Sequence, residues 1–292
     1  MLKIVIKRSG VKVKVHQRKH FFIFSAMNTR KRKTENANDT PSKKHRTNDC
    51  ARSQTWQSVL VISQLEKALC SKGNAIDAGG MKSYMRDKFE FYGIKSPLRR
   101  KTMKEIFADR DKGIPIKDVR EFAQILWTKP QRELQLVAMD FLEKHRKELC
   151  KNEADFNKNI DFFKILVTSK SWWDTVDMLA YKLVGYLVQT HPTKGKPVMQ
   201  EWISSDNMWL RRTAILHQLC SKERTDEEML FQFCLAQCHE EEFFIRKAIG
   251  WSLRDYARMK PNKVKKFLQQ HKDRLSTLSY NEAAKHLNIA KK

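Results

Sequence analysis

The first 34 residues contain no aspartate or glutamate, the 292-residue chain contains no long apolar run, and glycine and cysteine are scarce throughout. Each shortage closes off a class of protein. No apolar stretch approaches the roughly 18 residues that a membrane-crossing helix needs, so no membrane partner is expected. The six cysteines, Cys50, Cys70, Cys150, Cys220, Cys234 and Cys238, are scattered rather than set at the spacings of a secreted disulfide framework. Cys234, Cys238 and His239 lie close together, but no second ligand pair follows at zinc spacing, and the expectation is no metal and no cofactor. From residue 53 onward the two-residue alternation of a strand is missing as well.

What the chain has in excess is positive charge. The formal net charge is +25. Residues 1–52 hold 15 Lys and Arg against 3 Asp and Glu, and the remaining 240 residues hold 43 against 30. A basic tail alone can serve as an address, but a folded body that is itself basic points to a polyanion, and nucleic acid fits best.

The tail and the body read differently. Residues 1–52 are taken as a disordered basic segment carrying two clusters, Arg30-Lys31-Arg32-Lys33 and Lys43-Lys44-His45-Arg46, with nine residues between them. Paired clusters on a polar linker suit nuclear import or a flexible arm on DNA. The acid-free residues 1–26 also suit an organellar transit peptide, Val11 to Val15 alternates like a strand, and Met27 is an alternative start; these readings stay open. Residues 53–292 form the body. Helical stripes run through Val59–Leu69, Val119–Leu126, Leu134–Leu142, Phe162–Leu166, Val176–Leu187 and Leu230–Leu235. Breaks are expected at Gly79-Gly80, Gly93, Pro97, Gly113, Pro115, Pro130, Pro192, Pro197 and Pro261. The body is expected to be all-α.

Within it, Lys170 to Asp177 read KSWWDTVD. Trp173 and Asp177 are four apart and share a helix face, so a large π-surface lies beside a carboxylate. That pairing suits a bulky cationic group, although a core tryptophan beside a capping aspartate is the commoner use of such residues. A repeat helps to decide. Trp209 to Ala214 matches Phe244 to Ile249 in kind at an offset of 35, and Asp177 to Arg212 is also 35. Arrays of HEAT-type helix pairs have repeats of about 40–47 residues. A near-constant offset places Asp177, Arg212, Lys247 and Trp251 on equivalent helices of successive pairs, converging on one groove.

The segments Met81 to Arg86, Phe89, Phe91, Gly93 to Lys95, Pro97, Arg99-Arg100, Glu133 to Gln135, Lys170 to Asp177, Trp209 to Leu216 and Phe244 to Trp251 together resemble the AlkD family of DNA alkylation-repair glycosylases. The resemblance spans about residues 55–290. It implies HEAT-like repeats in a right-handed curved solenoid with a basic concave groove. It further implies excision of cationic N3- or N7-alkylated purines from double-stranded DNA by a monomer. Trp173, Asp177, Arg212 and Trp251 match the family's functional residues, and some relatives that lack the aspartate bind DNA without excision. The family is thought to leave the base stacked, which implies acceptance of bulky adducts.

The chemistry of these residue types agrees. A base alkylated at N3 or N7 is already cationic and leaves without protonation, so one carboxylate can replace the usual pair. On this reading Asp177, Trp173 and Trp251 are catalytic, and Arg212 holds a phosphate or pairs with Asp177. Lys170, Arg211, Arg246, Lys247 and Arg254 are candidates for the duplex backbone. Tyr84, Met85, Phe89 and Phe91 are expected in the core or groove wall, and Trp172 and Trp209 in packing. Trp56, Trp127 and Trp202 are expected in the core. No lysine nucleophile is evident. Two alternatives, a non-catalytic nucleic-acid-binding module and a protein-interaction scaffold, also accommodate a helical repeat.

Overall fold

A computed structural model describes residues 57–108 and 110–292. Both basic clusters and Trp56 lie outside the described residues. Among those described there is no strand, and one isolated bridge joins Glu90 to Gln131.

Helices alternate between two rows. The first row is α1 (Ser58–Ser71), α4 (Ile116–Thr128), α7 (Phe156–Thr168), α10 (Pro192–Ile203), α12 (Glu227–Ala236) and α14 (Pro261–Gln270). The second is α3 (Ser96–Phe107), α5 (Arg132–Lys144), α8 (Trp173–Met178) continuing into α9 (Gly185–Thr190), α11 (Met208–Leu216), α13 (Phe243–Ala257) and α15 (Thr277–Ala283). Consecutive second-row helices touch: α3 to α5, α5 to α8, α8 to α11, α11 to α13 and α13 to α15. Stacked helix pairs of this kind make the HEAT-like repeat array. Two short elements, α2 (Ala75–Tyr84) and α6 (Arg146–Leu149), fill connections.

Apolar periodicity drives the stacking. On α5, Leu134, Val137, Ala138, Phe141 and Leu142 are fully buried, at the three- and four-residue spacing of a helix face turned to the core. Trp127 and Trp202 are buried as their sequence context suggests. The first stripe differs in detail. Val61, Ile62, Leu65 and Leu69 are buried while Val59 and Leu60 are exposed, because those two project away from the face that Ile62, Leu65 and Leu69 define.

Most of the expected breaks fall at helix boundaries. Pro97, Pro192 and Pro261 sit in first turns, where their missing N–H has no intrahelical partner to lose. Two differ. Gly79-Gly80 lies inside α2, which has no buried residue and is held by its Asn74 cap, and Pro197 lies inside α10. Gly93 is a true turn, with φ +85° and room for no side chain, since a Cβ there would lie 2.0 Å from the Asn74 carbonyl oxygen.

The lateral bonds between second-row helices carry the repeat length. Arg99 pairs with Asp140 across 41 positions and Arg132 with Asp174 across 42, whereas Asp177 to Arg212 and Lys247 to Glu282 each span 35. The repeat therefore shortens toward the C-terminus. This is why an offset of 35 is legible in the second half of the sequence and not in the first.

Candidate nucleic-acid repair site

Helix α8 begins at Trp173, and its anchor lies one helix back. Arg132, fully buried on α5, donates to both Asp174 oxygens at 2.9 and 2.6 Å, to the Thr175 hydroxyl at 2.8 Å and to the Lys170 carbonyl at 2.9 Å. Its guanidinium also lies 3.8 Å from the centre of the Phe89 ring. The two aspartates of the WWDTVD motif are thereby divided: Asp174 fastens α8 to α5, and Asp177 turns to α11.

Asp177 is 8% exposed, and its two oxygens accept from Arg212 Nε at 2.7 Å and Nη2 at 2.9 Å. This is the fork geometry that suits a carboxylate. Arg212 is 4% exposed, donates its other Nη to the Phe244 carbonyl and lies over the Phe244 ring. Burial pushes the Asp177 carboxyl above its ordinary value, and the charge and hydrogen bonds of Arg212 pull against that shift. Of the two roles foreseen for Arg212, the structure shows the ion pair.

Directly after Asp177 the helix widens. Residues Leu179–Val184 form a π-helical segment, in which Gly185 N–H donates to the Ala180 carbonyl. Helical stripes in a sequence carry no signal for this. Segments of this kind are frequent at functional sites.

Trp173 is half-buried, with the exposed Tyr84 ring edge-on at 5.9 Å. Trp172 is buried, packed against Trp209 and Phe244 at 5.9 and 5.1 Å. The adjacent tryptophans thus separate, Trp173 beside the carboxylate and Trp172 into an aromatic cluster. Trp251 is half-buried against the core on α13, where Phe244, Lys247, Trp251 and Arg254 share one stripe. Contacts run from Asp177 on α8 through Arg212 on α11 to Phe244 on α13, and Phe244 opens the stripe that holds Trp251.

The other basic candidates divide. Lys247 donates to Glu282 at 2.7 Å, and Arg254 pairs with the same carboxylate. Lys170, with φ 49°, donates to the carbonyls of Thr128 and Lys129 and so closes the C-terminus of α4. Burial, then the nearby Arg132 charge, lowers the Lys170 ammonium below its ordinary value. Arg211 donates to the Ser205 and Asp206 carbonyls at 2.8 and 2.9 Å, and Arg246 to the Glu240 carbonyl at 2.7 Å. Lys170, Arg211 and Arg246 therefore each fasten a loop or helix end of the protein itself.

A family profile described as "DNA alkylation repair enzyme" matches residues 65–287. The chain belongs to that family. It is similar to a solved structure from Enterococcus faecalis, titled a predicted DNA alkylation repair enzyme, at 31% identity and a TM-score of 0.67, over 75% of this chain and 98% of the other. Two structures from Streptococcus mutans share the fold. One is AlkD2, at 20% identity and TM-score 0.53 over 72% of this chain and all of the other. The other is smu.31, at 19% and 0.51 over 71% of this chain and all of the other. A comparison with curated protein sequences finds no match. Membership makes this an AlkD-type DNA-repair protein and a DNA binder.

The resemblance in sequence also gains physical reasons. Among the matching stretches, Gly93-Ile94 and Glu133 meet: the buried Glu133 carboxylate accepts from the backbone N–H groups of Tyr92, Gly93 and Ile94 at 3.1, 2.9 and 3.1 Å. Sequence reasoning missed Arg132, Asp174 and Glu282 as members of the site's support. The signal for Glu282 was present, because Asp177, Arg212, Lys247 and Glu282 are successive steps of 35. No comparable signal marked Arg132.

Proposed function

We propose that this family member is a monofunctional DNA glycosylase that hydrolyses the N-glycosidic bond of positively charged N3- or N7-alkylated purines in duplex DNA. The observation that carries the reading is the buried carboxylate of Asp177, locked by Arg212 one helical turn from the face of Trp173. A carboxylate held rigidly where water is scarce stabilises a developing cation without reorganising at the moment of reaction.

In the reaction, the bond between C1′ and the purine nitrogen breaks and its electron pair goes to the base, cancelling the positive charge there. Positive charge develops on the deoxyribose, facing Asp177. Each Asp177 oxygen accepts one Arg212 N–H and keeps a further lone pair for a water. That water adds to C1′ through its oxygen and passes one proton by way of the Asp177 carboxylate to solvent, leaving a free neutral base and an abasic site. Trp173 and Trp251 present π-faces that favour the cationic sugar and base over neutral ones.

The test is release of free base from a duplex containing N7-methylguanine. Asp177→Asn should reduce excision by about 10²-fold or more while duplex affinity holds or rises. Absence of release by the parent protein would sink the proposal, and unchanged excision by Asp177→Asn would remove Asp177 from the mechanism. Borohydride should trap no covalent complex.

A further inference from the structure

Asp177, Arg212, Lys247 and Glu282 stand on four consecutive second-row helices as the charge order minus, plus, plus, minus. The first two neutralise each other. The far end does not balance. Glu282, 5% exposed on α15, accepts from Lys247 at 2.7 Å and from Lys285 at 2.9 Å on each oxygen, and also pairs with Arg254. Three cations surround one carboxylate, leaving two positive charges in excess. Among their neighbours, Arg212 is taken up by Asp177, and Arg258 lies beside Asp255.

This arrangement is built into the backbone packing. Gly250 of α13 lies opposite Glu282, and a Cβ there would come within 2.5 Å of the Glu282 Cβ and 2.8 Å of the Ser279 carbonyl oxygen. The missing side chain lets the carboxylate reach between Lys247 and Arg254, one turn to either side. The side chains of Lys247 and Lys285 remain 35% and 46% exposed, so both ammonium groups also face solvent. Burial, and then repulsion from neighbouring cations of the cluster, lowers Lys247 and Lys285 below their ordinary pKa, Lys285 and Arg254 acting on the first and Arg254 on the second. A bound anion would relieve that repulsion.

We propose that Lys247, Arg254 and Lys285, gathered around Glu282 at the junction of α13 and α15, form a single binding site for a DNA backbone phosphate next to Trp251. Lys285 thereby joins the DNA-contacting surface from a helix beyond the tryptophan. The inference rests on the DNA-repair reading of the same groove, and it does not require that excision occur.

The experiment measures affinity of the full-length protein for an undamaged duplex as salt is raised from about 50 to about 200 mM. Each phosphate contact contributes about −0.9 to the slope of log K against log salt. Lys285→Gln should make the slope shallower, and the double variant Lys247→Gln with Lys285→Gln should bring the change to about 0.9, the whole contribution of one phosphate. One lost contact shrinks the loss of affinity across that salt range by about 3.5-fold. Lys266→Gln removes the same charge from the exposed face of the first-row helix α14 and should leave the slope unchanged. An unchanged slope in Lys285→Gln, or an equal change in Lys266→Gln, would overturn the proposal. Thermal unfolding of Lys285→Gln checks that the half-exposed substitution leaves the fold intact. Undamaged DNA keeps this result separate from the glycosylase reading: a slope change without base release sinks only the chemistry, and base release without a slope change sinks only the phosphate site.

Discussion

Replacing Arg212 by methionine tests whether the Asp177 pair is the electrostatic centre of the site. The substitution keeps most of the side-chain volume and removes the cation. It leaves a carboxylate, 11% exposed at its side chain, with neither of its two Arg212 hydrogen bonds. Breaking a buried pair from one side costs about 3–5 kcal/mol. For an array of this size each kcal/mol moves Tm by about 2–4 °C, so the midpoint should fall by about 6–20 °C. The deficit should also depend on pH. With Arg212 gone, burial and then the Asp174 charge act on Asp177 unopposed and push its carboxyl further above the unfolded value. The folded state then holds the proton more tightly than the unfolded chain does, so stability falls as pH rises between the two pKa values. The deficit relative to the parent should be largest at about pH 8 and smaller at about pH 5, because protonation removes the unpaired charge. Calorimetry of variant and parent at each pH measures it, and effects common to both cancel. A deficit below about 1 kcal/mol, the value of an exposed pair, or one that does not shrink in acid, would refute the reasoning. Excision by the variant should also fall, since a protonated Asp177 no longer faces the sugar with a negative charge.

Other consequences follow from the supporting residues. Arg132→Met removes the hydrogen bonds that fasten Asp174, Thr175 and the Lys170 carbonyl; it should cost about 3–5 kcal/mol in urea unfolding. Glu133→Ala orphans the N–H groups of Tyr92, Gly93 and Ile94 and should cost about 3 kcal/mol or more, with a smaller loss in Glu133→Gln, which keeps one acceptor oxygen. His217 is fully enclosed, and burial pulls its pKa down to about 4 from the ordinary 6.5. The unfolded chain therefore takes up a proton first, and stability should drop by up to about 3 kcal/mol as pH falls through that window. A His217→Leu variant should show a flatter acid limb, whatever it costs near neutrality.

The sequence by itself determined the helical class, because apolar spacing of three and four residues follows from burial on one helix face. It also marked several helix ends, because a proline suits the first turn of a helix and not its interior, and it marked the turn at Gly93, because glycine takes a left-handed backbone without strain. It singled out Trp173 and Asp177, since residues four apart on a helix must share a face. The offset of 35 further carried the link from Asp177 to Arg212, because equivalent residues of stacked pairs lie side by side.

Only the tertiary structure decided which partner each charge takes. Asp174 and Asp177 belong to one short motif, yet one bonds α5 and the other α11, and that choice depends on which helices flank α8. Lys170, Arg211 and Arg246 read as free cations until folding brings carbonyl groups to them from neighbouring chain segments. The π-helical widening after Asp177 and the seating of Glu282 against Gly250 depend in the same way on packing between helices. Local spacing reports which residues share a face, and only the assembled array fixes what that face meets.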